Sequence, residues 1–117
     1  MTTGANTIAI GFRALQSATS SGSNIAIGTE AGLYNTSGGT NIFIGPGFTG
    51  YSNTTGSLNI FLGYGAGGNN TTADGNVAIG TQAIQELRSG GDNTALGTYA
   101  GNYLATSSGS TIMGYMA

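Results

Sequence analysis

The chain has 117 residues, the length of one domain, and carries only 5% charged residues with a formal net charge of −2. Two arginines and no lysine exclude a phosphate-neutralising patch, so we expect no nucleic-acid partner. Without Cys or His the common base–nucleophile pairs and thiolate metal sites are excluded, and we predict no enzyme, cofactor or metal. No apolar run approaches the roughly 20 residues that span a bilayer, so we expect no membrane insertion.

A five-residue pattern that ends in glycine recurs along the chain. Residues 24–28 read Asn-Ile-Ala-Ile-Gly, and six other segments are variants of this pattern. The closing glycines are separated by 17 residues, with a single step of 18. They are Gly11, Gly28, Gly45, Gly63, Gly80, Gly97 and Gly114. A fixed period of this kind predicts a repeat architecture.

Each repeat begins with a short predicted strand, because its apolar residues alternate with a period of two. We predict that the larger aliphatic residues point inward. These two columns are Ile8, Ile25, Ile42, Ile60, Val77, Thr94, Thr111 and Ile10, Ile27, Ile44, Leu62, Ile79, Leu96, Met113. The residues between them are then expected on the outer face.

The remainder of each repeat predicts bends and turns. Three residues after the glycine lies a column that we expect at a second short strand or bend, composed of Ala14, Ala31, Phe48, Ala66, Ala83, Ala100 and Ala117. Gly, Ser, Thr and Asn then fill the connections. Residues 84–88 are the one helix-like run, for which we predict a local turn of helix.

These elements predict an all-β fold, a parallel β-solenoid of seven coils that spans residues 1–117 as a single domain. A coil of about 17 residues buries few large side chains, and small scaffolds of this kind need further support. Without disulfides, oligomerisation is the remaining means of support. We therefore predict a trimer interface on the expected outer column, at Ala26, Phe43, Phe61 and Ala78.

The repeat resembles the YadA-like head of trimeric autotransporter adhesins, and similar repeats occur in bacteriophage tail fibres. The resemblance lies in Asn-x-Ala-Ile-Gly followed three residues later by Ala, and covers residues 7–114. It implies a left-handed parallel β-roll, a homotrimer about one axis and a role in attachment. The period of 17 is longer than the usual head repeat, and Phe43, Phe48 and Phe61 stand where the family prefers small residues.

The sequence offers two candidate binding columns. The first contains Asn24, Asn41, Asn59, Asn76 and Asn93, for which we favour a structural amide ladder over a ligand site. The second contains Tyr34, Tyr51 and Tyr103, each six residues after a repeat glycine. Exposed tyrosines among Asn, Ser and Thr are typical of a carbohydrate-binding surface, although packing between coils is the alternative.

Other polar patterns carry weaker hypotheses. Asp74 and Asp92 precede strands in Gly-rich loops and could bind calcium, and Glu86 with Asp92 could form a hydrolytic acid pair, but surface roles are favoured. Four asparagines fit the glycosylation acceptor pattern, namely Asn35, Asn53, Asn69 and Asn70, and turn formation also explains them. A threonine column of Thr36, Thr54 and Thr71 raises an ice-binding alternative.

The leading functional prediction is a structural and adhesive fibre module, similar to a phage tail-fibre segment, that presents loops to a cell-surface glycan or other receptor. The predicted location is the virion, or else the bacterial surface. We favour the phage-type fibre because no export signal or anchor is visible. The alternatives are a bacterial trimeric autotransporter adhesin head and a self-assembling extracellular filament subunit.

Overall fold

The computed structural model describes residues 6–117 and contains seven β-strands of three residues each. They are β1 (Ile8–Ile10), β2 (Ile25–Ile27), β3 (Ile42–Ile44), β4 (Ile60–Leu62), β5 (Val77–Ile79), β6 (Thr94–Leu96) and β7 (Thr111–Met113). The strands pair in chain order, in parallel and in register, as one sheet. The predicted parallel β-solenoid is confirmed, although its seven strands are joined by about six turns where seven coils are predicted.

The solenoid is elongated, with extents of 39 × 22 × 17 Å. Each coil joins the next by the same backbone hydrogen bonds. For example, the Ile8 amide donates to the Asn24 carbonyl at 2.8 Å, and the Gly28 amide donates to the Ile10 carbonyl at 2.7 Å. This repetition explains why the glycine period is regular, since one coil is the template for the next.

The prediction of which strand face points inward is wrong. The middle residue of each strand points into the coil, and Ala26, Phe43 and Phe61 are fully buried. The flanking residues form an outward face, on which Ile10 is 59% exposed and Leu62 is 39% exposed. A period of two does not say which face is inside, and in a coil this narrow each short strand contributes one inward side chain.

The trimer interface predicted from that assignment is therefore also wrong in its residues. Ala26, Phe43, Phe61 and Ala78 have no exposed surface within a single chain. They belong to the core and cannot contact a neighbouring chain without unfolding of the coil.

Large side chains enter the apolar part of the interior either from the strand or from the segment that faces it, and we call these the two walls of the coil. In the third and fourth coils, Phe43 and Phe61 reach in from the strands, and their rings stack with centroids 5.5 Å apart. Gly50 and Gly67 face these rings, and a Cβ on either glycine would collide with the ring. In the first and fifth coils, where the strand carries Ala9 or Ala78, the buried side chains of Leu15 and Ile84 come from the wall that faces the strand.

The single 18-residue step places its extra residue in the turn after Gly45. There Thr49 accepts a hydrogen bond from the Gly32 amide at 3.0 Å, as Ala31 accepts one from Leu15 one coil earlier. Thr49 thus holds the position that the glycine spacing assigns to Phe48, so the prediction that Phe48 belongs to the column of Ala14 and Ala31 is wrong. Phe48 instead lies outside, 47% exposed, with a φ of 64°.

The polar part of the interior contains two asparagine columns. In the first, the Oδ1 atoms of Asn24, Asn41, Asn59 and Asn76 each accept from the backbone amide of the next asparagine at 2.8–3.1 Å. Their Nδ2 groups donate to turn carbonyls, as Asn41 does to Gly56 at 2.8 Å. A second, shorter column joins Asn35, Asn53 and Asn70 by amide-to-amide hydrogen bonds of 2.8 Å.

The repeat glycine is required by the stacking itself. At Gly28, φ is 132°, and an added Cβ would collide with the carbonyl oxygen of Gly45 in the next coil. The predicted helical turn at residues 84–88 is not formed, because Ile84 has a φ of 42° and lies in a turn with its side chain buried. Within residues 6–117, no helix is long and apolar enough to cross a bilayer.

Candidate functional site

Four aromatic side chains form a continuous cluster on the surface of the second to fourth coils, which we call the aromatic strip. Its members are Tyr34, Phe48, Tyr51 and Tyr64. Ring centroids are 5.0 Å apart for Tyr34 and Tyr51, 5.1 Å for Phe48 and Tyr51, and 6.2 Å for Phe48 and Tyr64. Nearly half of the surface of Tyr34, Phe48 and Tyr64 remains exposed, so the rings are available to a ligand.

The strip is a consequence of the extra residue in the third coil. The longer turn from Gly45 to Gly50 moves Phe48 from the wall to the surface, where its ring meets Tyr51 and Tyr64. It also shifts Tyr51 by one position. The backbone amide of Tyr34 donates to the Tyr51 carbonyl, in the position that Leu33 holds one coil earlier. Tyr34 and Tyr51 are thus neighbours in contact rather than members of one column.

A cluster of three polar side chains, which we call the polar trio, lies at the N-terminal side of the strip. Arg13 Nη1 donates to Glu30 Oε1 at 2.8 Å, and Arg13 Nε donates to Gln16 Oε1 at 2.6 Å. The ion pair is partly exposed, so we expect it to contribute little to the stability of the fold. It presents polar atoms at the surface. Its two charges cancel.

The trio and the strip are close enough to interact electrostatically. The side-chain hydrogen bond with Tyr34 raises the pKa of Tyr51, with smaller contributions from desolvation and from the charge of Glu30, while Arg13 acts in the opposite direction. The Tyr51 hydroxyl therefore stays protonated and uncharged at physiological pH.

The structure separates the three predicted binding tyrosines. Tyr34 and Tyr51 meet in the aromatic strip, whereas Tyr103 is 86% exposed near the C-terminal end of the solenoid. There it lines a groove of about 590 Å³ together with Tyr99, Leu104 and Tyr115. The prediction that all three occupy one column is wrong, because the 18-residue step shifts Tyr51.

Sequence reasoning did not identify Phe48 and Tyr64 as parts of this site. The glycine spacing predicts Phe48 in the column of Ala14 and Ala31, and Tyr64 follows a repeat glycine without a conspicuous pattern. The available signal was the 18-residue step between Gly45 and Gly63, since an inserted residue changes which side chains reach the surface.

The asparagine columns offer no binding surface. All five members of the first column are fully buried and use their amides in the coil-to-coil bonds described above. Asn35, Asn53 and Asn70 are likewise buried, which leaves their amides inaccessible to a glycosylating enzyme, whereas Asn69 is half-buried.

The threonine column has a structural role. The hydroxyls of Thr36, Thr54 and Thr71 each donate at 3.0 Å to a backbone carbonyl of the next coil. These donors are thus committed to coil stacking, which gives no support to the ice-binding alternative.

The acidic residues do not converge. Asp74 accepts a hydrogen bond from the Ser57 amide at 2.7 Å and so supports a turn. Across residues 6–117, no group of three or more acidic side chains could hold a metal ion.

The comparisons with known proteins leave the site to be interpreted from its own geometry. No protein-family model matches the chain, and neither a curated protein nor a solved structure matches it.

Proposed function

We propose that this chain is a structural and adhesive fibre module, similar to a phage tail-fibre segment, that attaches to a cell surface by binding an uncharged glycan. The observation that carries the proposal is the exposed aromatic strip, in which four rings lie on coils joined by backbone hydrogen bonds. Aromatic faces beside amide, carboxylate and hydroxyl groups are suited to sugar rings, whose CH faces are apolar and whose edges are polar.

Assembly as a homotrimer, with the left-handed winding that the resemblance implies, is part of the proposal. Its support is the outward face of the sheet, where isoleucine, leucine and methionine side chains stand in two parallel columns. Several of them are more than a third exposed, including Ile10, Ile60, Leu62, Leu96 and Met113. An apolar surface of this extent is unusual on a monomer and indicates contact with another molecule.

Glycan binding is tested with strip variants on cells and on a glycan array. The double variant Tyr34→Ala/Tyr51→Ala should lower binding at least about tenfold, as expected when roughly 1.4 kcal/mol of binding energy is lost. Tyr103→Ala is the matched control, because this tyrosine is exposed but lies away from the strip. If the double variant binds as well as the parent, or if the parent binds no glycan and no cell, the proposal fails.

Trimer formation is tested by analytical ultracentrifugation. The variant Ile44→Lys/Leu62→Lys places charges on the outward face and should shift a trimer to monomer, because buried unpaired charges are costly. Thr55→Lys, an exposed turn position, is the control and should remain trimeric. A parent that sediments as a monomer at micromolar concentration would show that the outward face is not an oligomer interface.

A further inference from the structure

The polar trio and the aromatic strip follow one another over the first four coils of the solenoid. Arg13 and Gln16 lie in the first coil and Glu30 in the second, while the strip continues from Tyr34 to Tyr64 in the fourth. With strands ~4.8 Å apart, three coil steps correspond to a length of ~14 Å along the solenoid axis. A surface of this length is longer than one sugar ring.

The polar trio leaves donors and acceptors available at its end of the surface. Among residues 6–117, the Nη2 group of Arg13, Nε2 of Gln16 and Oε2 of Glu30 enter no hydrogen bond. These atoms are two donors and an acceptor on planar groups, which can bind neighbouring hydroxyls of one ligand. Because Arg13 is paired with Glu30, the surface has no net charge with which to select an anion.

The ring orientations favour a chain of puckered rings over a flat ligand. Tyr34 and Tyr51 are inclined by 87°, and Phe48 and Tyr64 by 85°. Neighbouring rings in these two pairs are therefore nearly perpendicular to each other. A flat aromatic ligand would need coplanar rings to stack upon, whereas linked sugars present CH faces and hydroxyl edges in turn.

From these observations we infer that the site binds an extended, uncharged oligosaccharide that lies parallel to the solenoid axis. Its successive sugar rings contact the aromatic strip, and the unit at one end is hydrogen-bonded by Arg13, Gln16 and Glu30. This inference rests on the proposed glycan function and adds the length and direction of the ligand and the polar end of its site.

The first test measures how binding depends on chain length. The parent is applied to an array on which neutral and acidic glycans are each present as monosaccharide and as longer oligomers, and hits are titrated by calorimetry. A neutral tetrasaccharide should bind at least about tenfold more tightly than its monosaccharide, with little change between low and high salt. Equal affinity for the two lengths, or binding of acidic glycans alone, would overturn the inference.

The second test uses variants at the two ends of the site, each with a matched control. Arg13→Gln should weaken tetrasaccharide binding about fivefold, as for one lost hydrogen bond, while Arg88→Gln, at the only other basic residue, should not. Tyr64→Ala should have a similar effect, while Tyr115→Ala, which also follows a repeat glycine, should not. If Arg13→Gln and Tyr64→Ala both bind the tetrasaccharide like the parent, the ligand does not span the surface.

Different results would overturn the glycan function and the extended site. Binding of neutral sugars that is independent of length and of Arg13, yet lost in Tyr34→Ala/Tyr51→Ala, would leave the glycan function intact and remove the extended site. Absence of binding to any array member by a folded parent would remove both.

Discussion

The interior of this solenoid has an apolar part, in which the residue at a given position varies between coils, and a polar part, in which it is repeated. In the apolar part, the large side chain comes from different walls in different coils: from the facing wall at Leu15 and Ile84, and from the strand at Phe43 and Phe61. In the polar part, asparagine is repeated in five successive coils from Asn24 to Asn93. Dispersion contacts depend on filled volume, whereas a hydrogen-bond ladder needs the same donor and acceptor at the same height.

The second asparagine column shows where exchange is tolerated in the polar part. Its positions are taken by Asn35, Asn53 and Asn70 in the middle coils and by Ala18 and Leu87 in the flanking ones. An apolar residue can therefore end a ladder, but none interrupts it, because an interruption would leave a buried amide without its partner.

The largest expected effect comes from emptying the apolar part. Phe61→Ala removes a fully buried ring that stacks on Phe43 and should lower the free energy of unfolding by about 3–5 kcal/mol. Denaturant titration at fixed protein concentration measures the change. A loss below ~1 kcal/mol would mean that the ring is not packed in the interior.

A break in the ladder comes next in size. Asn59→Ala removes the acceptor that Asn76 meets with its backbone amide at 3.0 Å, and leaves that amide buried and unpaired. We expect a loss of about 1–3 kcal/mol for the unsatisfied group. Asn69→Ala, a half-buried asparagine outside both columns, should change stability by less than about 0.5 kcal/mol and serves as the control.

A double variant tests whether the two walls of the apolar part compensate for each other. Gly67→Leu alone should cost about 1–3 kcal/mol, because its side chain collides with the Phe61 ring. Combined with Phe61→Ala it should restore part of the lost stability, since the coil then resembles the one that contains Ala78 and Ile84. Gly67 has a φ of 56° and Leu15, at the same position in the first coil, has 50°, so the backbone accepts a leucine. If the two losses simply add, the walls do not compensate for each other.

The smallest expected effect lies outside both parts of the interior. Tyr34→Phe removes the side-chain hydrogen bond that raises the pKa of Tyr51, so this pKa should fall toward its usual value near 10. Because the folded-state pKa is the raised one, the associated stability is present at neutral pH and is lost as pH rises through it. Absorbance titration of tyrosinate should show this fall in Tyr34→Phe. In the control variant Tyr103→Phe, the pKa of Tyr51 should stay as in the parent.

The sequence by itself determined the period, the position of every strand and the in-register parallel stacking. These follow from glycines at 17-residue steps, because Gly28 and Gly45 approach each other too closely for any Cβ. The same pattern also predicted that the asparagines recur at one height in successive coils. These features depend on local or strictly repeated sequence, so they can be predicted from a single chain.

Only the tertiary structure decided which face of each strand is buried and which aromatic rings meet. Alternation is symmetric between the two faces, and closure of a narrow coil placed Phe43 and Phe61 inside and the isoleucines outside. The contact of Phe48 with Tyr51 and Tyr64 depends on where one extra residue is absorbed in the turn after Gly45. That choice is set by stacking on the coils above and below, since the buried position that Ala31 holds one coil earlier suits a small residue, and Thr49 is smaller than Phe48.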